Sequence, residues 1–102
     1  MKNLLGDAKS LIENAEDDEC YEKALSILNK AIMKASSVQV SNSYHLHYYR
    51  GLCYLNLNNL DKAERDFVES ISLADEKGKI QIYNSLGKCK IEMSAQDPSY
   101  LE

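Results

Sequence analysis

The chain has 102 residues, 44% of them apolar and 27% charged, a globular balance sufficient for one domain with a single modest core. A net charge of −4 and a pI near 5.2 argue against nucleic acid, whose phosphates require a concentrated basic surface. No apolar run approaches the roughly 18 residues of a bilayer span, and Met1 to Asp7 turns polar too soon for a secretory signal. A cytoplasmic protein without membrane contact is therefore expected.

Five helical segments follow in order. The first runs from about 2 to 15, with Leu4, Leu5, Ala8, Leu11, Ile12 and Ala15 at helical spacing. Asp17, Asp18 and Glu19 suit the positive N-terminal end of the second, which spans about 19 to 36 and buries Ala24, Leu28, Ala31, Ile32 and Ala35. Ser41, Asn42 and Ser43 offer caps for a third helix over about 43 to 57. Asn58 and Asn59 form a tight turn, and Asp61-x-x-Glu64 reads as a capping box just inside a fourth helix. That helix, about 60 to 76, carries Ala63, Phe67, Ile71 and Ala74 on one stripe, with Gly78 as its stop. A fifth, about 79 to 94, carries Ile80, Tyr83, Leu86, Gly87 and Ile91, and Pro98 prevents its continuation.

The segments echo one another. Tyr21-Glu22-Lys23-Ala24 matches Leu60-Asp61-Lys62-Ala63 at a spacing of 39, and Gly51 precedes Gly87 by 36. Gly51, Tyr54, Ala63 and Phe67 together resemble the tetratricopeptide repeat, a pair of antiparallel helices. Residues 44 to 77 match best, though His47, Arg50 and Asp75 stand where the family prefers tryptophan, leucine and proline. The resemblance implies an all-α fold of about two and a half repeats. Helix pairs over about 2–36 and 43–76 and a last helix over 79–94 would stack as a short right-handed α-solenoid, one domain over 1–102. In that fold Gly51 lets the paired helix pack close, while Tyr54 and Phe67 fill the space between helices.

The ending is unusual. Gly87 precedes Tyr100 by thirteen residues, as Ala8 precedes Tyr21, so Tyr100-Leu101-Glu102 resembles the opening of another second helix. Without that helix, the fifth would show apolar surface that neighbouring repeats normally cover. Three explanations compete: a fragment of a longer array, a terminal cap, or two copies covering each other.

Enzyme signatures are missing. The four glycines are too scattered for a phosphate loop. His45 and His47 point about 200° apart on a helix and cannot share a metal from one face. Cys20, Cys53 and Cys89 form an odd, spread set that reads as buried free thiols, with neither a disulfide framework nor a zinc site. The expectation is no enzyme, no metal and no cofactor.

Binding is what the resemblance implies. The first helix of each pair lines a concave groove in this family. Carried over by position, the groove presents His45, Tyr48, Tyr49, Leu52 and Asn56 from the third helix. It presents Gln81, Asn84, Ser85, Lys88 and Glu92 from the fifth, with Lys9 and Glu13 added by the first. The carboxylate clamp of the members that hold Hsp70 and Hsp90 tails is absent, because Tyr49, Gln81 and Ser85 occupy clamp positions. The function implied is a scaffold or adaptor for a protein or peptide partner. The alternative is an architectural module that self-associates through its unpaired last helix.

Overall fold

The computed structural model describes residues 4–37 and 44–96, with side chains given for 6–34 and 44–95. It contains five α-helices: α1 (Leu4–Glu13), α2 (Asp18–Ser37), α3 (Tyr44–Asn56), α4 (Leu60–Leu73) and α5 (Glu76–Gln96). No strand occurs among the described residues. Each helix packs on the next, and α3 also touches α1 on one side and α5 on the other. This is the all-α helical-repeat fold that the resemblance implied. The proposed caps Ser41, Asn42 and Ser43, together with Pro98 and Tyr100-Leu101-Glu102, lie outside the described residues.

Local chemistry explains the boundaries. Asp17 caps α2, its Oδ1 accepting from the Cys20 amide at 3.2 Å. At the end of α3, Asn58 adopts a left-handed φ of 64°, which asparagine tolerates better than most residues. The Asn59 amide then reaches the Tyr54 carbonyl at 2.8 Å and the Asn58 amide the Leu55 carbonyl at 3.1 Å. These are the paired bonds of a Schellman ending, and they reverse the chain within the expected turn.

Three expectations are corrected. No side-chain cap closes the start of α4, so Asp61-x-x-Glu64 is not a capping box; Glu64 instead receives Lys90 of α5 at 2.7 Å. α4 ends at Leu73 because Ala74 turns extended (φ −84°, ψ 155°). Asp75 then caps α5, its Oδ1 accepting from the Gly78 amide at 2.8 Å. Gly78 is thus no stop but the third residue of α5. Its missing side chain makes room for Tyr44, whose ring lies within 2.6 Å of where a Cβ would stand.

The third correction concerns which face of α5 is packed. Gly78, Ile82, Ser85, Cys89 and Met93 point inward, whereas Ile80, Tyr83 and Ile91 are 66%, 55% and 68% exposed. Apolar residues occupy both sides of this helix, so periodicity alone does not select one. Shape does. On the buried side Gly78 makes room for the Tyr44 ring and Ser85 meets the Tyr48 hydroxyl, both from α3.

Two apolar clusters form the interior. Ala8, Ala24, Leu28, Leu46 and Cys53 join α1, α2 and α3. Tyr48, Leu60, Ala63, Phe67, Ile82 and Cys89 join α3, α4 and α5. Tyr49, half-buried, packs against both. Gly51 makes the second cluster possible. A Cβ there would stand 2.7 Å from Cε1 and 2.9 Å from Cδ1 of Phe67, far inside normal contact.

Candidate partner-binding groove

α3 lies between α1 and α5, so its residues decide what the shared surface offers. Its first two turns carry a row of rings. Tyr44 and His45 have centroids 4.0 Å apart, His45 stacks over Tyr49 at 6.3 Å, and Tyr48 meets Tyr49 edge-on at 5.3 Å. These side chains recur on one side because positions three and four apart share a helix face.

The groove residues expected from the sequence fall into three groups. Tyr48 and Ser85 are buried and bonded to each other, hydroxyl to hydroxyl at 3.0 Å, which pins α3 to α5. They form the junction beneath the surface. His45, Tyr49 and Leu52 are half-buried, each with part of its side chain in solvent. Asn56, Gln81, Asn84, Lys88 and Glu92 are exposed, and Asn56 spends one donor on the Leu52 carbonyl at 2.8 Å. From α1, Lys9 and Glu13 pair at 3.8 Å. Glu13 is near enough to act on Tyr49, whose phenol is raised by burial first and then by Tyr48, Glu13 and Tyr44. α1 and α3 thus share one electrostatic environment around Tyr49, and α5 meets α3 through the Tyr48–Ser85 bond.

A second constellation is not visible in the sequence. Asp66 of α4 is buried, and burial by itself would raise its carboxyl. Hydrogen bonding and charge from His47 and Arg50 outweigh that cost and hold it below the ordinary aspartate value. Arg50 grips it bidentately, Nε to Oδ2 at 2.9 Å and Nη2 to Oδ1 at 2.7 Å. Its remaining nitrogen Nη1 donates to Asn29 of α2 at 3.1 Å. His47 Nδ1 stands 3.5 Å from Asp66 Oδ1, close enough for charge but too loose to satisfy the nitrogen fully. The network ties α2, α3 and α4 together. It also explains two departures from the family pattern: His47 and Arg50 replace apolar types because Asp66 faces them. Three polar residues at core spacing were the available signal, since buried charge demands a partner.

The thiols are poorly suited to chemistry. Cys53 is buried, and burial, with Asp66 adding to it, pushes its thiol up to about 12. Cys89 is raised for the same first reason and leans toward the Leu60 carbonyl at 3.5 Å. No group of three or more metal-ligating side chains occurs among the described residues. Nor is any described helix long and apolar enough to cross a membrane.

Comparison with known proteins agrees with this geometry. The family described as "Tetratricopeptide repeat" matches residues 44–77, which comprise α3, the Asn58 turn, α4 and the start of α5. This stretch is similar to a single tetratricopeptide repeat. The chain is 38% identical over 60 residues to "Tetratricopeptide repeat protein 36 homolog" of Drosophila pseudoobscura pseudoobscura, covering 59% of this chain and 32% of the relative. With the protein of the same description from Drosophila melanogaster it shares 36% over 61 residues, covering 60% and 33%. The match thus spans about a third of these curated relatives' length. No solved structure matches significantly. A repeat of this kind suggests a protein–protein interaction scaffold in general.

Proposed function

We propose that this chain is a non-catalytic adaptor whose α1–α3–α5 surface holds a peptide or helix of a protein partner. The observation that carries the reading is the row of His45, Tyr49 and Leu52, half-buried and flanked by exposed amides and by Lys88. Rigid aromatic surface gives contact area at low entropic cost, and the polar flank fixes orientation. An amphipathic ligand fits this lining, with its apolar side on Tyr49 and Leu52 and an acceptor or acidic group toward Asn84 and Lys88. The raised Cys53 and Cys89 thiols fit a role without chemistry. A cytoplasmic setting suits three unpaired cysteines. The substituted clamp positions direct the reading away from the terminal carboxylates of Hsp70 and Hsp90.

The test uses two variants with different risks. Tyr49→Ala removes the central ring but also touches both apolar clusters, so its stability must be measured alongside. Asn84→Ala with Lys88→Glu alters only exposed side chains and leaves packing alone. Both should lose a partner that the wild-type chain retains, with unchanged helix content for the second. A partner whose affinity survives the Asn84→Ala/Lys88→Glu change and a folded Tyr49→Ala would place recognition elsewhere.

A further inference from the structure

The outer face of α5 repeats, thirty-six residues later, the face that α3 presents to α4. Tyr44 of α3 accepts the Ser70 hydroxyl on its carbonyl, His47 approaches Asp66, and Gly51 receives the ring of Phe67. Their counterparts on α5 are Ile80, Tyr83 and Gly87, all exposed, followed by Ile91. At Gly51 a side chain would collide with Phe67; at Gly87 a Cβ would meet nothing within 4 Å. α5 therefore carries a ready-made helix-packing face with an empty notch at its centre.

The spacing of that face says what can fill it. Ile80 and Ile91 lie almost equally far on either side of residue 85, and so do Tyr83 and Gly87. An α5 laid antiparallel on a second α5 brings Ile80 against Ile91 of the other copy. It also brings the Tyr83 ring over the other copy's Gly87 notch, and two-fold symmetry makes each contact twice. The stripe itself bears no charge, so no like charges are forced together. We propose that α5 is a self-association helix, and that a second copy of this chain covers its outer face with Tyr83 in the Gly87 notch. The proposal does not rest on the groove reading, although Asn84, beside Tyr83, lies at the border of the two surfaces.

The stripe from Ile80 to Ile91 is short, roughly 16 Å of helix at 1.5 Å per residue. A contact of this size sits at the low end of specific interfaces, and a dimer with a dissociation constant on the order of 50 µM is the expectation. Sedimentation equilibrium of the full chain should show the 11.6 kDa monomer near 5 µM. Toward about 500 µM the mass should approach twice that value. Tyr83→Ser should remain monomeric throughout. Gly87→Leu is the sharper variant, because the monomer has open space for it while the dimer does not. It should keep its helix content, with a urea midpoint at 5 µM no lower than that of the wild type, and still fail to dimerise at 500 µM. A wild-type chain that stays monomeric at 500 µM overturns the proposal. A Gly87→Leu chain that dimerises as the wild type does overturns it equally, by placing the contact elsewhere.

Discussion

Gly51→Ala probes the closest contact in the fold. The added Cβ would stand 2.7, 2.9 and 3.2 Å from three carbons of the buried Phe67 ring, where about 3.5–4.0 Å is comfortable. The ring has no free space, being fully buried between α3, α4 and α5, so the helices must part or the ring must leave its rotamer. Overpacking of this kind costs about 1–3 kcal/mol. Against it stands the gain of about 1 kcal/mol from replacing a mid-helix glycine by alanine. The net expectation is a loss of about 1 kcal/mol, and Gly51→Leu should cost several. Phe67→Leu removes the ring edge, so in that background Gly51→Ala should turn neutral or stabilising, a coupling of roughly 1–2 kcal/mol. Urea melts of the four chains, followed by helical circular dichroism at a fixed low-micromolar concentration, measure all the terms. If Gly51→Ala has the same sign and size with and without the Phe67 ring, the close-packing argument is wrong. A Gly51→Leu chain as stable as wild type would refute the packing directly.

Other consequences concern the buried network and the thiols. Asp66→Asn leaves Arg50 without its bidentate partner and should cost about 3 kcal/mol in a urea melt. A cost below about 0.5 kcal/mol would show the pair to be a surface-like ion pair. Because the folded Asp66 is depressed, its contribution is present above the unfolded value near 3.9 and is lost as pH falls below it. Wild-type stability should therefore drop more steeply than that of Asp66→Asn as pH falls below about 4; parallel curves would contradict the assignment. Thiol titration with a disulfide reagent at pH 8 should find Cys20 accessible in the folded chain. Cys53 and Cys89 should be released only by urea, and rapid labelling of all three without denaturant would contradict the burial.

Much of this architecture is legible in the chain because its determinants are local. Helical spacing, the Asp17 cap and the Asn58–Asn59 turn involve neighbours within five residues, and they place helices close to where the structure has them. Gly51 and Phe67 are legible for a different reason: a fixed spacing encodes one contact between two helices. What escapes the sequence depends on distant partners. Asp66 becomes intelligible only when Arg50, sixteen positions earlier, and Asn29 of α2 are brought to it. Gly78 reads as a stop until the Tyr44 ring is seen against it. The packed side of α5 is undecidable from a helix with apolar residues on both faces, and Tyr48 and Ser85 look like groove residues until their hydroxyls meet.

The central claim is that recognition belongs to the α1–α3–α5 surface. The most direct measurement is the affinity of one purified partner for three chains: wild type, Asn84→Ala/Lys88→Glu, and Ile80→Ser/Ile91→Ser. The groove variant should lose at least tenfold in affinity, about 1.4 kcal/mol, while the outer-face variant binds as wild type does. Unchanged affinity in the groove variant, or equal loss in the outer-face variant, would contradict the claim.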